Sequence, residues 1–99
     1  MTELSFEWDA NKDESNLRKH GISFEDAKTV FYDENAILFH DPDHSDEEDR
    51  FILLGVSLKI QVLVVCHCLR DEESVVRIIS ARRADRDEEK DYWNKISGR

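Results

Sequence analysis

Apolar residues fall into two kinds of pattern along the chain. Residues 4–8, 36–41, 50–58, 61–69 and 75–82 carry them in runs or in alternation, as β-strands require, and the last three stretches are rich in Val, Ile and Leu. Elsewhere they recur at helical spacing. Asp9 predicts an N-cap for a helix over residues 10–20, with Gly21 as the residue that ends it. Charge is dense along that helix, and Leu17 is almost alone as a core contact. Ser23-Phe24-Glu25-Asp26 resembles a capping box, and Phe24, Ala27, Val30 and Phe31 form one apolar face of a second helix over residues 24–32. Asp85, with Glu88 three residues on, opens a final helix ending near Ser97-Gly98, whose apolar contacts are Tyr92, Trp93 and Ile96.

The order β-α-α-β-β-β-β-α, with short connections between the later strands, predicts an α+β fold: an antiparallel β-sheet meander with helices packed on it. A chain of 99 residues has room for one core, so residues 1–99 are expected to form a single domain. Residues 61–69 are apolar on both sides. Val62, Val64, Cys66 and Cys68 point one way, and Leu63, Val65, His67 and Leu69 the other. A solvated sheet face does not look like this. Either the final helix or another chain must cover the second side.

Charged residues make up 37% of the chain, but two Trp, two Tyr and five Phe argue against disorder. No apolar run reaches the ~18 residues that a membrane span needs. The first residues, Met-Thr-Glu-Leu-Ser-Phe-Glu-Trp, have neither the basic nor the apolar region of a signal peptide, so a cytoplasmic protein with no membrane partner is expected. The net charge of −9 sits badly with nucleic-acid binding until it is divided. Residues 1–49 hold 4 Lys/Arg against 15 Asp/Glu, whereas residues 50–99 hold 10 against 8. An anion-binding surface is therefore expected mainly from the second half, while the acidic first half is either a solvated face or a surface for a basic partner.

Cys66 and Cys68 flank His67 and share one side of a strand, which places them poorly for a mutual disulfide. Zinc would need two further ligands; His40 and His44 are the nearest candidates, at a spacing that matches no zinc signature. Two small buried hydrophobes in a reducing compartment is the favoured reading, and neither a metal nor a cofactor is expected.

Three polar clusters remain. One runs from Lys12 through Asn16, Lys19 and His20 to Gly21; a second holds Asp41, His44, Ser45, Glu48 and Arg50; a third holds Arg70, Arg77, Ser80, Arg82 and Arg83. Arg77 stands between Val76 and Ile78, where a guanidinium must find a carboxylate such as Asp41 or Glu48, or open into a cleft. Strict alternation sends Arg77, Ile79 and Ala81 to one face and Ile78, Ser80 and Arg82 to the other. Metal-independent RNA cleavage needs a base for the 2′-OH, an acid for the leaving 5′-oxygen and cations for the charge that builds on phosphorus. His and Glu suit the first two tasks, and the planar fork of Arg suits the third.

The same clusters follow a family pattern. Phe6-Glu7-Trp8-Asp9, Lys12, Asn16, Lys19-His20-Gly21, Ser23 to Ala27 and Val30-Phe31 resemble the N-terminal part of the BrnT family. Asp41, His44-Ser45, Glu48, Arg50, Gly55 and Ser57 resemble its middle, and Arg77-Ile78-Ile79-Ser80-Ala81-Arg82 with Ala84 and Tyr92 its end. In the hairpin after Gly55 and Ser57 the family often has a glycine followed by a basic residue; here Lys59-Ile60-Gln61 stands instead. The resemblance implies a compact relative of RelE-type toxins that cleaves RNA and blocks translation. It also implies a BrnA-type antitoxin that neutralises the toxin in a heterotetramer and carries the complex to operator DNA.

On residues and resemblance together, Arg50, Arg77 and Arg82 are the candidates for phosphate charge, and His44 and Glu48 for proton transfer. Lys12, Lys19, His20, Arg70 and Arg83 are candidate RNA contacts. Trp8 is a possible base-stacking residue but fits a core position better, and His40 and His67, inside apolar strands, fit structural roles. Two other classes compete with a nuclease: a non-catalytic module acting only in a regulatory complex with a DNA-binding antitoxin, and a Cys/His metal protein.

Overall fold

The computed structural model describes residues 4–41 and 49–98. The described elements are β1 (Ser5–Glu7), α1 (Ala10–His20), α2 (Phe24–Lys28) continued by a 3-10 turn (Thr29–Tyr32), β2 (Ile37–Asp41), β3 (Arg50–Val56), β4 (Val62–Arg70), β5 (Val75–Arg83) and α3 (Arg86–Ile96). The α+β class expected from the sequence is the class observed.

Sequence-encoded caps set the helix ends. The Asp9 carboxylate accepts from the Asn11 and Lys12 N–H groups, and Gly21 closes α1 at φ 73°, in the left-handed region that suits glycine. Ser23 Oγ accepts from Asp26 N–H. Asp85 and Glu88 form the reciprocal capping box at the start of α3. The second helix is shorter than its periodicity predicts, because its last turn tightens to 3-10 geometry before Asp33.

The five strands form one sheet in the order β1-β5-β4-β3-β2. β2 through β5 are the expected antiparallel meander, but β1 pairs in parallel with the far edge of β5, Glu7 opposite Arg77. The sheet is therefore mixed. One face is closed by α1 and α2, with Ile22, Phe24, Ala27 and Val30 packed on Leu53, Leu63, Val65, Val76, Ile78 and Ala81. Trp8 packs at the edge of this core, edge-to-face with Phe24, and takes the core role. On the other face, α3 seats Tyr92 against Leu54, Val62 and Val64. The final helix thus covers one end of the second face and leaves the rest of it to other uses.

α1 departs from its sequence reading. Leu17 is about half exposed, and the buried residue is Asn16. Its amide donates to the carbonyls of Ile22 (2.9 Å) and Ala81 (2.8 Å), and its oxygen accepts from Ala81 N–H (3.1 Å). β1 pairs β5 only as far as Arg77, and among the described residues no strand pairs the outer edge of β5 beyond that point. The Asn16 side chain supplies both hydrogen bonds that a strand would have made there.

β5 also carries a bulge. Cys66 pairs with Ser80, but the next residue, His67, pairs with Ile78, so Ile79 is the extra residue. Ile78 and Ala81, three apart, are consequently buried in the same core. This corrects the alternation expected for β5. The bulge resets the face, and Arg77, Ser80 and Arg82 all lie on the side opposite α1 and α2, in register with Cys68, Cys66 and Val64 respectively.

A second polar clamp ties α3 to the end of the sheet. Asp33 accepts from Val56 N–H (2.9 Å), Asn35 N–H (2.9 Å) and the Tyr92 hydroxyl. Gly55 lies beneath it: a Cβ there would come within 2.9 Å of Ala36 Cβ, Asp33 Oδ2 and Val30 Cγ1. Burial alone would raise the Asp33 pKa, but these hydrogen bonds outweigh it and hold the carboxyl below its ordinary value. In the nearby hairpin Ile60 stands at φ 60°, in the left-handed region. A β-branched residue in the left-handed region costs about 1–2 kcal/mol. Lys59 turns to Asp26 at 3.0 Å.

Two stability predictions follow from the clamps. Asn16→Ala leaves both polar groups of Ala81 without their partner and is expected to cost about 2–4 kcal/mol in urea denaturation; a loss below about 0.5 kcal/mol would show that water replaces the amide. Tyr92→Phe removes a hydrogen bond to an ionised carboxylate and is expected to cost about 1.5–3 kcal/mol at neutral pH. Because the folded pKa of Asp33 is depressed, its contribution is complete above the unfolded value of about 3.9 and fades as pH falls through the folded value. The gap between wild type and Tyr92→Phe should therefore narrow in acid, and a constant gap would mean that the charge on Asp33 is irrelevant to the bond.

Candidate functional site

The part of the second sheet face that α3 leaves open holds a hollow of about 250 Å³. Ile52, Val64 and Cys66 line it from the central strands, Ile79, Ser80 and Ala81 from the bulged segment of β5. Its polar rim is Arg50 and Asp41, paired in register on neighbouring strands, together with Arg82 and the imidazole of His20. Each arrives by a different route. Arg50 opens β3, Arg82 lies two residues past the bulged pair, and His20 is the last residue of α1, which Asn16 holds against Ala81.

A shallower depression of about 180 Å³ adjoins it, lined by Lys12, Ser15, Asn16, Lys19 and again His20, Ile79 and Ser80. Two clusters far apart in sequence, Lys12–Lys19–His20 and Arg50–Arg82, thus form one continuous surface across the bulge. His20, expected among the RNA contacts, stands at the junction of the two depressions. Only the long-range contact of α1 with β5 brings it there, and no local pattern in the sequence announces that contact.

Arg82 does not enter the hollow unopposed. Its two terminal nitrogens meet the two oxygens of Glu88 at 2.8 and 2.9 Å, and this hydrogen-bonded pair raises the Arg82 pKa and lowers that of Glu88. The Arg82 side chain is 44% exposed and Glu88 30%. An ion pair this open is worth about 0.2–1 kcal/mol, little enough for an incoming phosphate to share or displace the carboxylate.

The other cations lie elsewhere. Arg77 is on the same face but pairs with Glu7 at 2.9 Å, across the parallel β1–β5 contact, and not with Asp41. Arg70 approaches the same carboxylate at 3.6 Å. Neither lines the hollow. Arg83 is exposed, in register with Leu63 on the opposite face. His44 and Glu48 lie outside the described residues.

The remaining histidines and cysteines take structural places. His67 is buried between Phe31 and Phe51, with ring centroids 4.8 and 6.0 Å away, and Nδ1 is 3.3 Å from the Val65 carbonyl. Burial pulls its pKa down, so it is neutral at pH 7. His40 stacks edge-on against Phe51 and lies 3.5 Å from Asp49. Cys68 is buried and Cys66 half-buried, on one side of β4 as expected. Burial pushes the Cys66 thiol up against the opposing charge of Arg50, which leaves it a protonated part of the floor. Among the described residues no three His, Cys, Asp or Glu side chains converge in a way that could hold a metal ion. No helix among them is long and apolar enough to cross a membrane.

The chain has two informative likenesses. A sequence profile described as the ribonuclease toxin BrnT of type II toxin–antitoxin systems matches residues 8–88. Among solved structures, the fold is similar to that of the Brucella abortus ribonuclease toxin BrnT, with a TM-score of 0.64 over 85% of this chain and 100% of that one, at 22% sequence identity. At that identity the structural likeness speaks to fold alone. A search of curated proteins returned no match. The profile runs from Trp8 through Glu88 and so takes in α1, the whole meander and the Arg82–Glu88 pair. With most of its length matched, the chain belongs to the BrnT family of ribonuclease toxins of type II toxin–antitoxin systems.

Proposed function

We propose that the chain is a metal-independent endoribonuclease that halts translation by cutting RNA. Arg50 and Arg82 hold the scissile phosphate and His20 moves a proton. The supporting observation is the open hollow lined by those three side chains, continuous with the lysine-bearing face of α1. The 2′-oxygen attacks phosphorus as its proton passes to a base. The P–O5′ bond breaks as an acid protonates the 5′-oxygen, leaving a 2′,3′-cyclic phosphate and a 5′-hydroxyl end. Two guanidinium groups, from β3 and β5 on either side of β4, fit the charge that builds on the non-bridging oxygens. His20 serves one proton transfer, and His44 and Glu48, six and two residues before Arg50 in sequence, are the candidates for the other. Lys12 and Lys19 extend the cationic path for the RNA backbone, and Arg83, on the opposite face, is a more distant candidate contact. Arg77 and Arg70 share Glu7 and brace the β1–β5 edge.

A type II system pairs its toxin with a protein antitoxin. Here that partner is a BrnA-type protein, assembled with the toxin as a heterotetramer that reaches operator DNA through the antitoxin. The site of action is the cytoplasm.

The test is cleavage of defined RNA by purified protein, with and without EDTA. Cleavage that survives EDTA and leaves 5′-hydroxyl ends is expected. Arg50→Ala, Arg82→Ala and His20→Ala, each verified as folded, should lose about 10²-fold or more in rate and relieve growth arrest when expressed without antitoxin. Arg77→Ala should lose stability ahead of activity. Intact RNA under all conditions, with tight antitoxin binding, would instead establish a regulatory module.

A further inference from the structure

Beside the arginine hollow lies a second, also about 250 Å³, that phosphate chemistry leaves unused. Its floor is Ile52, Leu54 and Val64; Phe39 on edge strand β2 and Asp91 on α3 stand at its sides. Ile52, Val64 and Arg82 line both hollows, so a phosphate on Arg82 sets its own nucleoside at the mouth of the second. Phe39 is 47% exposed and in register with Ile52. An exposed aromatic ring lining a hollow shared with a cation is a platform suited to an unstacked base.

The carboxylates sort the bases. Glu88 is occupied: Oε1 accepts from Arg82 and Asp85 N–H, and Oε2 from Arg82. Asp91, one helical turn on, is exposed, and its carboxylate makes no hydrogen bond or ion pair with the described residues. An acceptor-only group repels a polyanion unless it meets N–H donors. Guanine alone among the four bases presents two adjacent donors, N1–H and the N2 amino group, which match the two oxygens of one carboxylate. Adenine and cytosine offer an amino group beside an acceptor nitrogen, and uracil a single N–H between two carbonyls.

We propose that this second hollow is a guanine subsite, with the base over Phe39 and the aliphatic floor, its donor edge on Asp91, and its phosphate on Arg82. The proposal rests on the ribonuclease reading for its substrate, but its test does not need cleavage. The probes are the four nucleoside 3′-monophosphates, titrated into the full chain by calorimetry. Guanosine 3′-monophosphate should bind about tenfold or more tightly than the others. Asp91→Asn should erase that preference while leaving the remaining three no weaker, and Phe39→Ala should weaken all four. Equal binding of the four, no binding of any, or a preference unchanged in folded Asp91→Asn overturns the subsite.

Cleavage of RNA with randomised positions separates this failure from that of the ribonuclease reading. Cuts beside guanine in the wild type but not in Asp91→Asn support the subsite. Cuts without base preference overturn it and leave the nuclease standing. Guanine-selective binding without any cleavage supports the subsite and removes the nuclease. Loss of antitoxin affinity in Asp91→Asn and Phe39→Ala, with nucleotide preference intact, assigns the hollow to the protein partner and overturns the proposal.

Discussion

One buried amide holds the site together. Asn16 is the only residue of α1 that is buried, and it spends its hydrogen bonds on the peptide groups of Ala81 and the carbonyl of Ile22. A polar group sealed in a core must be satisfied, so the amide dictates where α1 sits more sharply than a greasy contact would. A leucine there could slide along β5; an amide that both donates to and accepts from one residue cannot. His20 follows Asn16 by one turn of helix and Lys12 precedes it by one. Their position over the bulged segment of β5 is therefore a consequence of the Asn16–Ala81 pairing.

The bulge has an equally local cause and a wider effect. One extra residue at Ile79 lets β5 bury Val76 and Ile78 below it and Ala81 above it on one face, while Arg77, Ser80 and Arg82 all reach the other. Without the insertion, the strand that buries Ile78 would turn Arg82 toward α1 and α2. The open face then carries a row of charge across the sheet, from Asp41 and Arg50 on β2 and β3 to Arg77 and Glu7 on β5 and β1. A protein with net charge −9 thereby gathers arginines on one open face while its acidic residues sit mostly on other elements. Glu7 and Glu88 hold Arg77 and Arg82 in partly exposed pairs, which keep those guanidinium groups ordered at little energetic cost to their exchange.

The elements themselves were legible in the sequence because their signals are local. Asp9, Gly21, Ser23 and the Asp85–Glu88 box mark helix ends by chemistry that acts over three or four residues, and the runs of Val, Ile and Leu mark the central strands. What alternation could not convey was where it breaks: nothing in Arg77-Ile78-Ile79-Ser80-Ala81-Arg82 distinguishes a straight strand from one that slips by a residue. The parallel pairing of β1 was hidden for a related reason, since strands separated by about seventy residues have no connecting turn to fix their direction. Leu17 looked like the core contact of α1 on hydropathy alone, and only a tertiary contact with Ala81 makes a polar neighbour the buried one. Of the candidate site, Arg50, Arg82, Lys12, Lys19 and His20 converge, Arg77 and Arg70 gather around Glu7, and His44 and Glu48 lie beyond the described residues.

Glu88 joins these lines of construction. Its carboxylate satisfies the free N–H of Asp85 at the start of α3 and grips the fork of Arg82 with both oxygens. The helix it begins delivers Tyr92 to the second core and, through its hydroxyl, to Asp33 at the end of the sheet. One side chain thus sets the start of α3, the angle of a site arginine and the wall of the hollow in which Asp91 stands. A phosphate that draws Arg82 away from Glu88 leaves a carboxylate still held by the Asp85 backbone, so the helix cap survives the exchange. That separation lets the arginine answer to a ligand while the scaffold that positions it stays in place.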